Sequence, residues 1–144
     1  MKKSLLFKPA SSRLLVKFTV LLVTALLVMF QQNKTHAQGC TYSISLLDTY
    51  GDGWNGGAVT VNVGGTNVLT GSTLASGYGP ATYNFTVYQG QSITVNYTAG
   101  SWSSENYYRV YNAANAGGTQ IFQSTQYATP PATQAIINGC TVPM

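Results

Sequence analysis

Three carboxylates, Asp48, Asp52 and Glu105, are the whole acidic stock of this 144-residue chain. Two of them lie four apart in the segment Asp48-Thr49-Tyr50-Gly51-Asp52-Gly53-Trp54-Asn55-Gly56-Gly57. Calcium takes roughly six to eight oxygen ligands from carboxylates, amide oxygens and backbone carbonyls, held by a chain that can curl around it. The glycines between and after Asp48 and Asp52 allow such a curl. Acids in a chain so poor in charge are costly unless solvated or paired. One structural calcium ion held by Asp48, Asp52 and Glu105, with Asn55 and loop carbonyls completing the shell, would account for all of them. The alternative is a tight turn in which Asp48 and Asp52 cap backbone amides and Glu105 pairs with Arg109. The segment is not an EF-hand. Asp48, Asp52 and Gly53 fit its first, fifth and sixth positions, but Tyr50 stands at the third and Val59 where a bidentate Glu belongs.

Aromatic side chains accompany the acids. Tyr50, Trp54, Tyr78 and Trp102 fall in expected loops, where a ring with a polar rim can stack on a sugar or fill a partner's pocket. Tyr50, Trp54 and Trp102 are therefore ligand-binding candidates. Trp54 has a second and preferred reading, in which it folds back and closes the end of the core, as buried tryptophan does in β-sandwiches. Arg109 shares a strand face with Tyr107 and Tyr111, so it can stack on a ring as readily as it can pair with Glu105.

Catalysis meets a shortage of residue types. Beyond residue 37 the chain has no histidine and no lysine, and its two cysteines are expected to be paired. Neither a Ser-His-Asp nor a Cys-His arrangement can be assembled, and a catalytic zinc would lack imidazole. Only a glycosidase-like carboxylate pair remains, and a domain of this size rarely offers it a deep cleft. A non-enzymatic role is expected.

The first 37 residues have a different composition. Lys2, Lys3, Lys8, Arg13 and Lys17 precede the apolar run 18–30 (FTVLLVTALLVMF), and a polar stretch ends at Thr35-His36-Ala37. A basic start, a short apolar run and a small residue at the cut mark a secretory signal peptide. Cleavage is expected after Ala37. The run falls short of the roughly 20 residues that span a bilayer, so an uncleaved anchor is the lesser alternative. Lipidation at Cys40 is disfavoured, because Ala37-Gln38-Gly39 lacks the branched apolar residue such a signal carries. Residues 38–144 then keep one base, Arg109, against the three acids, a net charge of 1 − 3 = −2. Phosphate binding takes several Lys or Arg, so nucleic acid is excluded as a partner, as is a membrane once the leader is gone. The destination is secreted: extracellular, cell-surface or periplasmic.

The elements that must position these groups are strands. Val59, Val61 and Val63 alternate with polar residues; so do Tyr83, Phe85 and Val87, and Ile93, Val95 and Tyr97. Period-two runs of this kind are half-buried strands. Further strands are expected at 41–47, 67–70, 107–112, 119–124 and 133–137, separated by turns rich in glycine and proline. About eight short strands at near-regular spacing predict one domain, 38–144, folded as an all-β antiparallel two-sheet sandwich, jelly-roll-like. The pair Cys40 and Cys140 is expected to form a disulfide, as an even cysteine count implies in an exported chain. It would close a loop of about 100 residues, worth up to about 4.7 kcal/mol on the chain-entropy account, and would set the first and last strands side by side. Asn84 and Asn96 match the N-glycosylation pattern but lie inside expected strands.

The segment from Asp48 to Gly57 resembles a family of secreted and surface proteins of Bacteroidetes-type bacteria. In that family an aspartate, Ser or Thr and an aromatic precede Gly-Asp-Gly-Trp-Asn-Gly and open a β-sandwich module. A second family element is matched by Gly100-Ser101-Trp102-Ser103-Ser104-Glu105-Asn106-Tyr107-Tyr108. The resemblance spans residues 47–110 and implies a sandwich in an extracellular setting more firmly than an activity. The expected function is a non-catalytic extracellular binding or adhesion module, taking a glycan or a surface protein. The alternative is a structural subunit of a surface or matrix assembly, since a sheet with few edge charges leaves self-assembly open.

Overall fold

A computed structural model describes residues 38–137 and 139–141. The leader and its cut after Ala37 lie outside the described residues. The alternating runs become eight strands: β1 (Cys40–Asp48), β2 (Ala58–Val63), β3 (Thr66–Ser72), β4 (Ala81–Val87), β5 (Ile93–Thr98), β6 (Asn106–Tyr111), β7 (Gln120–Gln123) and β8 (Thr133–Ile136). All eight expected strands are present, with ends shifted by one or two residues. They form two antiparallel sheets of four, in the orders β4-β1-β6-β7 and β3-β2-β5-β8.

The two orders match column by column. Wherever the chain passes from β1 to β2, β3 to β4, β5 to β6 or β7 to β8, it leaves one sheet and enters the facing strand of the other. Four folded-over ribbons lie side by side, which is the jelly-roll manner of wrapping. The register places these four crossovers, residues 49–57, 73–80, 99–105 and 124–132, at one end of the sandwich. The β2–β3 and β6–β7 hairpins lie at the other end, with a fifth passage between the sheets, from β4 to β5 through residues 88–92.

Between the sheets lies the apolar set that the alternation predicts. Tyr42, Ile44 and Leu46 of β1 face Val59, Val61 and Val63 of β2 and Ile93, Val95 and Tyr97 of β5, all buried. Strand β1 is covered on its outer side too. Ser43 donates to the carbonyl of Ala113 at 2.6 Å and accepts from the N–H of Ala116 at 2.9 Å, so the segment 112–118 lies over it. Ser45 shares a hydrogen bond of 2.8 Å with Thr82.

The disulfide forms, but its placement differs from expectation. Cys40 opens β1 in the first sheet, while Cys140 follows β8, an edge strand of the second. The bridge, with a Cα–Cα distance of 5.8 Å, therefore joins the two sheets instead of two neighbouring strands. The reason is topological: an even number of crossovers separates strands that share a sheet, and β1 and β8 are separated by an odd one. The two asparagines of the glycosylation pattern are used within the fold, Asn84 bonding Asn115 at 2.8 Å and Asn96 accepting from Thr133 at 3.1 Å.

Candidate metal centre

Strand parity explains why Asp48 is buried. It follows Tyr42, Ile44 and Leu46 at steps of two, so its side chain falls on the core face and is only 3% exposed. At the end of β1 the chain turns sharply. Asp48 Oδ1 accepts the N–H of Tyr50 at 2.9 Å and that of Gly51, which is the aspartate-capped turn foreseen as the alternative to metal binding. Gly51, at φ +100°, lies so close under the ring of Tyr78 that a Cβ would strike it.

The same ladder brings Glu105 alongside. Asp48 pairs with Asn106 in the β1–β6 register, and one step further the N–H of Thr49 donates to the carbonyl of Glu105 at 2.9 Å. A turn of 3₁₀ helix, Ser103–Glu105, lifts Glu105 into place, entered through Trp102 in the left-handed region at φ 56°. Asp52 arrives on the loop between β1 and β2. That loop is fixed by Gly53, where a Cβ would come within 2.8 Å of the Leu74 carbonyl, and by Gly100, which has backbone of residues 55–57 packed against it.

The result is a cluster in which one carboxylate oxygen from each of Asp48, Asp52 and Glu105 lies within 4.8 Å of the others. Asp48 Oδ2 and Glu105 Oε2 are buried and accept no hydrogen bond. Burial raises the Glu105 pKa above its ordinary value, and the charges of Asp52 and then Asp48 push it in the same direction. Arg109 does not relieve the cluster. Its guanidinium lies 5.5 Å from the centre of the Tyr107 ring and donates from Nε to Gln123 at 2.8 Å. The expected alternative partner of Glu105 is thus engaged elsewhere.

Two expected site residues take other roles. Asn55 turns its amide back on its own loop, donating to the Gly53 carbonyl at 3.3 Å, and its backbone carbonyl accepts from Ser101 at 3.0 Å. It lines a neighbouring depression with Gly56, Gly57 and Thr73, away from the acids. Trp54 is wholly buried: its indole N–H donates to the Leu47 carbonyl at 2.7 Å, and its ring meets Tyr97 edge-on at 5.7 Å. It seals the core beneath the loops and presents nothing to a ligand.

Tyr50 and Trp102 do face outward, each 70% exposed. With Asp52 and Glu105 they line a pocket of about 380 Å³. A second pocket of about 310 Å³ adjoins it, lined by Thr49, Tyr50, Ser104, Glu105 and Tyr127.

Compared with known proteins, the chain matches no family model, no curated protein and no solved structure. The site therefore has to be read from its own geometry. Tyr127 is the residue that sequence reasoning missed. It sits on the β7–β8 crossover, and nothing in its neighbourhood in the chain shows that this crossover returns to the acids. Asn106 belongs to the second motif, residues 100–108, where nothing in the sequence marks it out. It is buried beside Asp48 and donates to the Tyr97 hydroxyl at 2.8 Å, while its Oδ1 is without a donor. Among the described residues no helix is long and apolar enough to cross a membrane.

Proposed function

We propose that the domain is a non-catalytic extracellular binding module whose loop end is pinned by a divalent cation at Asp48, Asp52 and Glu105. The observation that carries this reading is the pair of buried carboxylate oxygens without donors, Asp48 Oδ2 and Glu105 Oε2, within a set of three acids. Leaving charged oxygens buried and unpaired is unfavourable, or is relieved by loss of the charge. A cation offsets that cost for all three acids at once. An all-oxygen donor set held by irregular loops fits calcium, which tolerates uneven geometry, better than magnesium, which demands a near-regular octahedron. The capped turn at Asp48 is compatible with the ion, since Oδ1 serves the turn while Oδ2 is left over.

The ion's role is to hold residues 49–57 and 99–105 together so that Tyr50 and Trp102 keep fixed positions. The non-catalytic reading is supported by the inventory: the described residues include no histidine or lysine, and both cysteines are bridged. The test is a thermal melt in calcium and in chelator, repeated for Asp52→Ala. Asp52 is exposed and bonded to nothing among the described residues, so its loss leaves the fold intact. Calcium at about a hundredfold excess over its dissociation constant adds about 2.7 kcal/mol, a rise of roughly 10 °C for a domain of this size. Asp52→Ala removes most of that rise. Identical melts of the native protein in calcium and in chelator would end the metal reading.

A further inference from the structure

Resting on that reading, we infer that the cation is more than a structural pin: it forms the floor of a binding site for neutral glycans, coordinating vicinal hydroxyls of a sugar whose ring stacks on Trp102 and Tyr50. The argument starts from coordination number. Calcium wants about six to eight oxygens, and the three acids supply only part of that shell. The side open to solvent is the side on which Asp52 is exposed, and it opens directly into the pocket walled by Tyr50 and Trp102. Positions left to water at the foot of a walled pocket are positions that ligand oxygens can take. Two neighbouring hydroxyls replace two waters with little change in bonding and with less loss of freedom than two separate ligands.

The walls fit the same ligand. A sugar presents a polar edge and an apolar ring face, and an exposed indole or phenol stacks on that face. Trp102 and Tyr50 are the two large side chains lining this pocket, and both are freely presented. The backbone imposes the placement of Trp102 in this pocket and of Tyr127 in the adjoining one: at φ 56° and 60° both hold the left-handed conformation that bulky residues rarely adopt. The adjoining pocket adds the hydroxyls of Thr49, Ser104 and Tyr127, polar groups suited to a second sugar unit. The two pockets, about 380 and 310 Å³, fall at the lower end of the range for small-molecule sites.

Charge decides between ligand classes. Arg109 is the one cationic side chain among the described residues and lines neither pocket. Three carboxylates against one dication leave the site at a net −3 + 2 = −1, and no basic side chain lines either pocket, so a neutral sugar is favoured over a sulfated, phosphorylated or uronic one.

The test passes the purified, disulfide-closed protein over mannose-, fucose- and galactose-agarose in calcium, in magnesium and in chelator. Retention on at least one resin in calcium, with release by chelator, is expected. Trp102→Ala and Tyr50→Ala each weaken retention about tenfold or more while keeping the wild-type calcium shift in melting temperature. That preserved shift separates the two readings. A calcium shift with no retention on any resin overturns the glycan site and leaves the structural ion. Retention unaffected by chelator, or unaffected by Trp102→Ala, overturns it as well. So does binding of tetramethylammonium to the chelated protein through Tyr50 and Trp102, which would make the pocket a cage for organic cations.

Discussion

The two ends of the sandwich are built from the same eight strands and differ in almost every other respect. At one end the chain crosses between sheets four times, and every acid among the described residues is found there, with the exposed rings of Tyr50, Tyr78, Trp102 and Tyr127. At the other end the chain makes short reversals within or between sheets, and the closing element is covalent, Cys40–Cys140. The four crossovers at this loop end run seven to nine residues each, long enough to carry side chains with no packing duty. A hairpin turn such as Gly64-Gly65 is too short for that. The candidate site gathers where the wrapping leaves spare backbone.

If the ends are independent, disabling one leaves the other intact. The largest effect expected is from removing the bridge: Cys40→Ser with Cys140→Ser costs about 4–5 kcal/mol in urea unfolding, while the calcium-induced gain in stability stays at its wild-type size. A lost calcium response in a variant that still folds would show the ends to be coupled. Next comes Trp54→Ala, at about 3–5 kcal/mol. It strikes both fold and site, because Trp54 supports the loop and caps the core, so the calcium gain falls with stability.

The pH dependence is smaller and has opposite signs with and without the ion. Glu105 has its pKa raised by burial and by Asp52 and Asp48. The folded protein therefore binds this proton more readily than the unfolded chain does. Without metal, the Glu105 contribution is full below the ordinary carboxylate pKa and is lost as pH rises through the raised folded pKa. A bound cation requires the ionised form, so the calcium-induced rise in melting temperature shrinks as pH is lowered from about 7 to about 5. Paired melts in calcium and chelator across this range read both signs. The smallest effect is that of Arg109→Gln, about 1 kcal/mol or less from the lost ring contact and hydrogen bond, with the calcium response untouched.

The strands were legible because alternation is a local signal and each core face repeats it: Val59, Val61 and Val63 declare themselves without reference to the rest of the chain. The same rule, extended one step past Leu46, places Asp48 on the core face, so its burial was there to be read. The meeting of Asp48 with Glu105 was legible only as an economy of charge. Its physical cause is the β1–β6 register, a pairing between segments 58 positions apart (Asp48 with Asn106) that no local pattern records. Loop residues fared less well for a related reason. Asn55 has φ 46° and Trp102 φ 56°, and that reversal of backbone hand sends a side chain where spacing alone does not predict. Trp54 was ambiguous from composition, since an indole suits a lid and a platform equally; the acceptor at Leu47 settled it. The sheet-to-sheet bridge was hidden because it depends on how many times the chain crosses over.

The position of β1 has a consequence for how the molecule comes into being. It is the first strand in the described chain, yet it lies inside its sheet, flanked by residues 81–87 and 106–111 and roofed by 112–118. A polypeptide made from its amino end therefore carries this strand unpaired until residues 81–87 and then 106–111 exist. Assembly then depends on distant pairings, the kind whose loop-closure entropy slows folding. The serines at 43 and 45 keep that waiting strand from being apolar on both sides.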